Sequence, residues 1–261
     1  MYYDIRTPVN ARHTLEELTG IPFSLWEKEE EENKNLTQHI QQVLHKYNGV
    51  LLPYREYQFV FSHLTSSAEG CKSIYNYGLM DLTRTYDNKQ SELRRFLDDN
   101  GIALHLDVAI LEYAGKPYDI SYRSSSLFYS DAENTAIRIG YRFYRDKRVC
   151  GFLSIDSTIP YPTRVDQQPE ILVDISTLIN KDIAGEWKSA HKSYEITAIV
   201  DSTDVVLEGE KGATEVEIAM AYAELAYWNC FETDSRILQC KDGVQIPRER
   251  IICIQPFGDW K

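Results

Sequence analysis

The chain has 261 residues, enough for one large domain or for a domain with an N-terminal appendage. Apolar residues make up 43% and aromatic residues 12%, which excludes a disordered chain. The net charge of −12 argues against non-specific binding to duplex nucleic acid, because an acidic surface repels phosphates at long range.

In chain order, residues 1–55 read as a helical appendage. Thr14-Leu-Glu-Glu has the form of a capping box. Ile21–Trp26 is an apolar patch that needs a surface to bury against. Glu27–Glu32, interrupted only by Lys28, reads as a solvated helix face. Residues 35–47 read as a helix with Leu36, Ile40, Val43 and Leu44 on one face, ended by Asn48 and Gly49. From residue 56 the pattern changes, so a second domain is expected over 56–261. It opens with a strand at Tyr57–Phe61, a helix over Ser67–Tyr77 closed by Gly78, and a short helix over Ser91–Asp99. Residues 102–111 and 126–129 read as extended, and Asp131–Tyr144 as a helix capped by Asp131. Strands are expected at Val149–Ile155, Glu170–Ile175 and Tyr194–Val200, with a loop at Ile159–Pro162. A helix over Thr214–Trp228 precedes two short strands, Ile237–Cys240 and Ile251–Ile254. Early helices followed by short strands, without regular alternation, point to an α+β fold.

The five cysteines, Cys71, Cys150, Cys230, Cys240 and Cys253, contain no CxxC pair and read as reduced thiols, so no metal site is expected. The N-terminus has no apolar signal region, and no run reaches the roughly 18 apolar residues of a membrane span. The expectation is a cytoplasmic protein with no membrane association. Eighteen tyrosines suit a β-rich core, or a ligand or partner surface. Two local basic clusters interrupt the acidic chain: Arg94 with Arg95, and Arg138, Arg142, Arg145, Lys147 and Arg148. Phosphate-binding glycine loops, an HExxH helix and a GxSxG elbow are all absent. His105 alternates with Leu104 and Leu106 and reads as an ordinary half-exposed side chain.

What remains is an apolar strand that ends in His63, Leu64 and Thr65, followed by Ser73, Ile74, Gly78 and Leu79. Leu127, Phe128 and Tyr129 then lead into a helix carrying Tyr141, and Phe231 and Glu232 precede Ile246-Pro247 and Ile251–Ile254. Together these segments resemble the His-Tyr-Glu branch of the ADP-ribosyltransferases, which includes PARP-like and DarT-like enzymes. The resemblance covers residues 57–255 and implies a split mixed or antiparallel sheet flanked by short helices. It also implies NAD⁺ as substrate, no metal, and transfer of ADP-ribose to a protein, DNA or RNA acceptor, as in a toxin or a phage-conflict protein. By the same resemblance His63 holds the adenine-side ribose, and Leu64 and Thr65 meet the nicotinamide amide. Tyr129 or Tyr141 stacks on the nicotinamide, and Glu232 is the catalytic carboxylate.

Such a transfer passes through an oxocarbenium-like state, which a carboxylate near the ribose stabilises. Glu217 and Glu224 compete for that role, because Glu215-Val-Glu217 imitates the ExE signature of the Arg-Ser-Glu branch, whose serine Ser124–Ser126 could supply. NAD⁺ hydrolysis or RNA 2′-phosphotransfer on a related fold is a further reading. So is a non-enzymatic antitoxin, inhibitor or adaptor that meets a protein partner through its N-terminal segment.

Overall fold

The computed structural model describes residues 1–29, 35–124, 129–156, 163–206 and 212–258. Strand β1 (Tyr2–Tyr3) leads into helix α1 (Pro8–Thr19). This helix starts before Thr14, because Thr7 caps it and Pro8 fills its first position, where a missing N–H costs nothing. Thr14 is buried in mid-helix and its hydroxyl donates to the Asp4 carbonyl at 2.7 Å. Helix α2 (Phe23–Trp26) buries Phe23 and Trp26, and α3 (Leu36–Tyr47) is capped by Asn35 and by left-handed Asn48, as its sequence indicates. Glu27 and Lys28 are exposed, while Glu29 accepts from Lys46 Nζ at 2.7 Å; the rest of that acidic run lies outside the described residues.

Strand β2 (Gln58–Ser67) is longer than its apolar run suggests, so His63 and Thr65 lie inside the strand rather than at its end. Helix α4 (Lys72–Tyr77) is shorter than expected, because Gly70 and Cys71 both have positive φ and the α-helix begins only after them. Gly78 ends it at φ 80°, where an added Cβ would lie 2.2 Å from the Ile246 carbonyl oxygen. Helix α5 (Leu82–Asp87) has no clear sequence signal; α6 (Glu92–Asp99), capped by Ser91, has one. The span expected to be one extended segment is a hairpin of β3 (Ile102–His105) and β4 (Ile110–Tyr113), continued by β5 (Lys116–Asp119).

Helix α7 (Asp131–Tyr144) carries a capping box of Ser130 with Glu133, which corrects the cap from Asp131 to Ser130. Strand β6 (Cys150–Ser154) follows. The expected strand at Glu170–Ile175 is instead the start of helix α8 (Glu170–Ile179). A six-residue apolar window cannot separate the two periods, but Ile171, Leu172, Ile175, Leu178 and Ile179 are buried at helical spacing. Then come α9 (Ile183–Ala190), β7 (Lys192–Asp201), α10 (Glu215–Asn229), β8 (Arg236–Gln239) and β9 (Ile251–Pro256). Helices are therefore not confined to the first half. The extended segment expected at 126–129 and the loop at 159–162 fall largely or wholly outside the described residues.

The fold is α+β, with mainly antiparallel sheets flanked by helices. The chain forms two compact units. Unit 1 comprises Met1–His63, Cys150–Thr158 and Thr197–Cys240. In it β6 pairs antiparallel with both β2 and β8, and β1 runs parallel beside β2. Helices α1 and α3 pack on α10. Tyr3, Tyr57, Phe59 and Tyr222 form an aromatic core with ring centroids 5.0–6.3 Å apart. Residues 1–55 thus bury much of their apolar surface within this unit.

Unit 2 comprises Leu64–Val149, Ile159–Ile196 and Lys241–Lys261. It contains the β3-β4-β5 meander, and its core gathers Leu97, Ile102, Leu111, Ile139, Phe143, Leu172 and Ile175. Helix α7 packs on α8, where Arg142 bridges Asp174 at 2.8 Å and Glu170 at 2.9 Å. No helix among the described residues is long and apolar enough to cross a membrane.

Gly140 lets α7 lie against the chain at Ile120: a Cβ there would sit 2.0 Å from the Ile120 carbonyl oxygen. In an open helix Gly→Ala is stabilising by about 1 kcal/mol. At this site we expect the opposite sign, with Gly140→Ala losing about 1–3 kcal/mol in chemical denaturation through overpacking. An unchanged or higher denaturation midpoint would refute this account of the contact.

Candidate functional site

The His63 environment is built from β2 and β6 of unit 1. Ser62 is the register partner of Phe152, so β2 crosses β6 near Gly151. A Cβ on Gly151 would lie 2.4 Å from the Phe61 ring and 2.8 Å from the Ser62 carbonyl oxygen. The absent side chain admits β2 to close range. His63 Nδ1 then donates to the Cys150 carbonyl at 2.8 Å. A carbonyl only accepts, so this bond fixes the neutral ring as the Nδ1–H tautomer with its lone pair on Nε2. Nε2 makes no hydrogen bond with a described residue. Burial pushes the His63 pKa down, opposed by the Cys150 bond, so the neutral form is favoured.

The three competing glutamates, all in unit 1, have different surroundings. Glu217 accepts from the Thr214 backbone N–H at 2.7 Å and its hydroxyl at 2.8 Å, which hold its carboxyl below the usual range. It caps α10. Glu224 accepts from the Thr37 hydroxyl and ties α10 to α3. Glu232 is exposed just beyond α10 and makes no ion pair or side-chain hydrogen bond with a described residue. Two exposed aromatic residues, Trp228 and Phe231, lie one turn and one residue before it.

Glu232 and His63 are not immediate neighbours along the sheet. His63 is tied to Cys150 at one end of β6, while Ser154 at the other end donates to the Asp234 carbonyl at 2.5 Å, two residues past Glu232. Four strand steps separate those anchors, on the order of 13 Å.

Leu64, Thr65, Tyr129 and Tyr141 belong to unit 2. Leu64 is buried and Thr65 half-buried in β2. Tyr129 lies under the Arg123 guanidinium, 5.3 Å from the ring centroid, whereas Tyr141 is exposed on α7. Leu127, Phe128, Ser125 and Ser126 lie outside the described residues.

Unit 2 holds a polar cluster that no short motif announces. Glu92 accepts from Ser67 Oγ and from the Ala68 backbone N–H, each at 2.6 Å. It also lies 3.1 Å from His191 Nε2. His191 Nδ1 faces the Trp187 carbonyl at 2.6 Å, and the two rings stack at 3.6 Å. Trp187 Nε1 donates to Ser66 Oγ at 2.8 Å. Ser67 Oγ in turn accepts from the Cys71 N–H at 2.8 Å, and burial with the nearby Glu92 charge pushes the Cys71 thiol up to about 12. The carboxylate sits between serine and histidine, so the histidine cannot take the serine proton directly. The arrangement is a clasp on the strand exit, not a nucleophilic triad.

Most of the expected basic clusters are neutralised internally. Arg94 pairs with Asp98, Arg95 with Glu69, Arg138 and Arg142 with Asp174, and Arg148 with Asp242. His105 is exposed and lies 3.5 Å from Glu112. Among the described residues no group of His, Cys, Asp or Glu is placed to hold a metal ion. Compared with known proteins, the chain matches no family model, no curated protein and no solved structure.

A histidine held neutral by the fold binds fewer protons than its unfolded counterpart, so its contribution is present above the unfolded pKa of about 6.5 and is lost as pH falls through the lowered folded value. Unfolding midpoints of the wild type should therefore drop more steeply below about pH 6.5 than those of His63→Asn, whose amide keeps the donor to Cys150 without titrating. Parallel pH profiles would show that His63 is not held neutral.

Proposed function

We propose that the protein is an NAD⁺-dependent ADP-ribosyltransferase in which His63 accepts a ribose hydroxyl and Glu232 stabilises the oxocarbenium-like centre. The observation that carries this reading is the His63 geometry. Within the strand that carries the resemblance, its Nδ1 proton is committed to Cys150 and its Nε2 lone pair is left for a hydroxyl donor. Glu217 and Glu224 are engaged in capping and helix packing, which favours Glu232 as the free carboxylate. The β6 span between the two anchors, on the order of 13 Å, is compatible with a ligand carrying two separated ribose groups, as a dinucleotide does. The acceptor is a protein or a nucleic acid, and the chain acts as a toxin or in phage conflict.

The exposed Trp228 and Phe231 favour a second reading: a non-enzymatic binding module on this fold, in which they serve a partner rather than a substrate.

Isotope transfer from labelled NAD⁺ with cell lysate separates the two. Glu232→Gln should keep NAD⁺ binding and lose about 10²–10³-fold in transfer, while Glu224→Gln leaves transfer within a few-fold. Loss confined to Glu217→Gln would replace His63 and Glu232 with the Arg-Ser-Glu arrangement. A wild type with neither binding nor transfer would overturn the transferase reading and make the binding module the better account.

A further inference from the structure

We infer that the face formed by Tyr122, Tyr141 and Arg145 in unit 2 binds a nucleobase together with its phosphate. Tyr122 and Tyr141 are 40% and 47% exposed, and their rings lie 5.6 Å apart at 55°. The Arg145 guanidinium lies 5.3 Å from the centroid of Tyr122, and its backbone N–H donates to the Tyr141 carbonyl at 2.8 Å. This face is preorganised. Ile120 is fully buried, and Gly140 brings α7 so close that its Cβ position would be 3.2 Å from the Tyr122 backbone nitrogen. A ligand therefore meets two aromatic rings whose backbones are already fixed, at little ordering cost.

Charge selects the ligand. The neighbouring cations Arg123, Arg138 and Arg142 are matched by Asp119, Asp174 and Glu170. Arg145 makes no ion pair with a described residue. A guanidinium over Tyr122 and beside exposed Tyr141, with no ion-pair partner among the described residues, suits a planar group that stacks and carries an anion within reach. The chain's charge of −12 disfavours a long polyanion and favours a ligand with one or two phosphates, free or at the end of a single strand. The inference shares Tyr141 with the transferase reading but does not rest on it.

The test is equilibrium binding of AMP, and of a short fluorescent oligo-deoxyadenylate, to the full chain at low salt. AMP carries no transferable ADP-ribose, so the result is independent of turnover. Tyr122→Ala should weaken binding about tenfold, a typical loss for one base–aromatic stack, and Tyr122→Phe should restore it. Arg145→Gln should weaken binding and flatten its salt dependence. Tyr77→Ala, at another exposed tyrosine, should change nothing. Binding of AMP alone identifies a free nucleotide, and binding of the oligonucleotide alone a strand end; either supports the inference. No binding of either probe, or binding undiminished in both Tyr122→Ala and Arg145→Gln, overturns it.

Discussion

The close passage of β2 over Gly151 is the constraint on which the His63 site depends. A side chain at 151 would collide with the Phe61 ring and the Ser62 carbonyl, so any larger residue pushes β2 away from β6. With it would go the 2.8 Å bond from His63 Nδ1 to Cys150. That bond does two things at once: it orients the ring, and it decides which nitrogen carries the proton. A neutral, oriented histidine is a hydrogen-bond acceptor for a hydroxyl, whereas an imidazolium is not. The chemistry proposed for the site follows from a missing methyl group at the residue next to Cys150.

Unit 2 solves a different problem at the end of the same strand. The chain must turn sharply after Ser67, through Gly70 and Cys71 with positive φ. Buried N–H and hydroxyl groups in that turn need partners. Glu92 supplies them from α6, and His191, stacked on Trp187 just beyond α9, lies 3.1 Å from the carboxylate. Removing Glu92 would take the acceptor from the Ser67 hydroxyl and the Ala68 N–H at once.

The legible parts of the sequence were those where one signal dominated. Asn35 and Asn48 bracket α3, Ser91 opens α6, and the Ala-rich α10 follows Thr214, so these helices could be read locally. Helix α8 could not, because its first six residues are apolar enough to satisfy either period. Thr14 misled for a related reason: a threonine with a glutamate three residues on has the form of a cap, yet here its hydroxyl serves Asp4 from mid-helix. At the candidate site, the sequence singled out His63 but not Gly151, since a close approach depends on which strand pairs with β6. Glu92, Trp187 and His191 were invisible, being far apart in the chain and without a motif. Tyr122 and Arg145 meet only because Gly140 brings α7 down on Ile120.

The central claim is that His63 is held neutral, protonated on Nδ1, with Nε2 open to a ribose hydroxyl. Nitrogen-15 NMR of the His63 ring at neutral pH reads this directly. The account predicts the Nδ1–H tautomer, with the Nε2 resonance moving when NAD⁺ is added and the Nδ1 resonance nearly fixed. An imidazolium, an Nε2–H tautomer, or an Nε2 resonance that NAD⁺ leaves unmoved would contradict it.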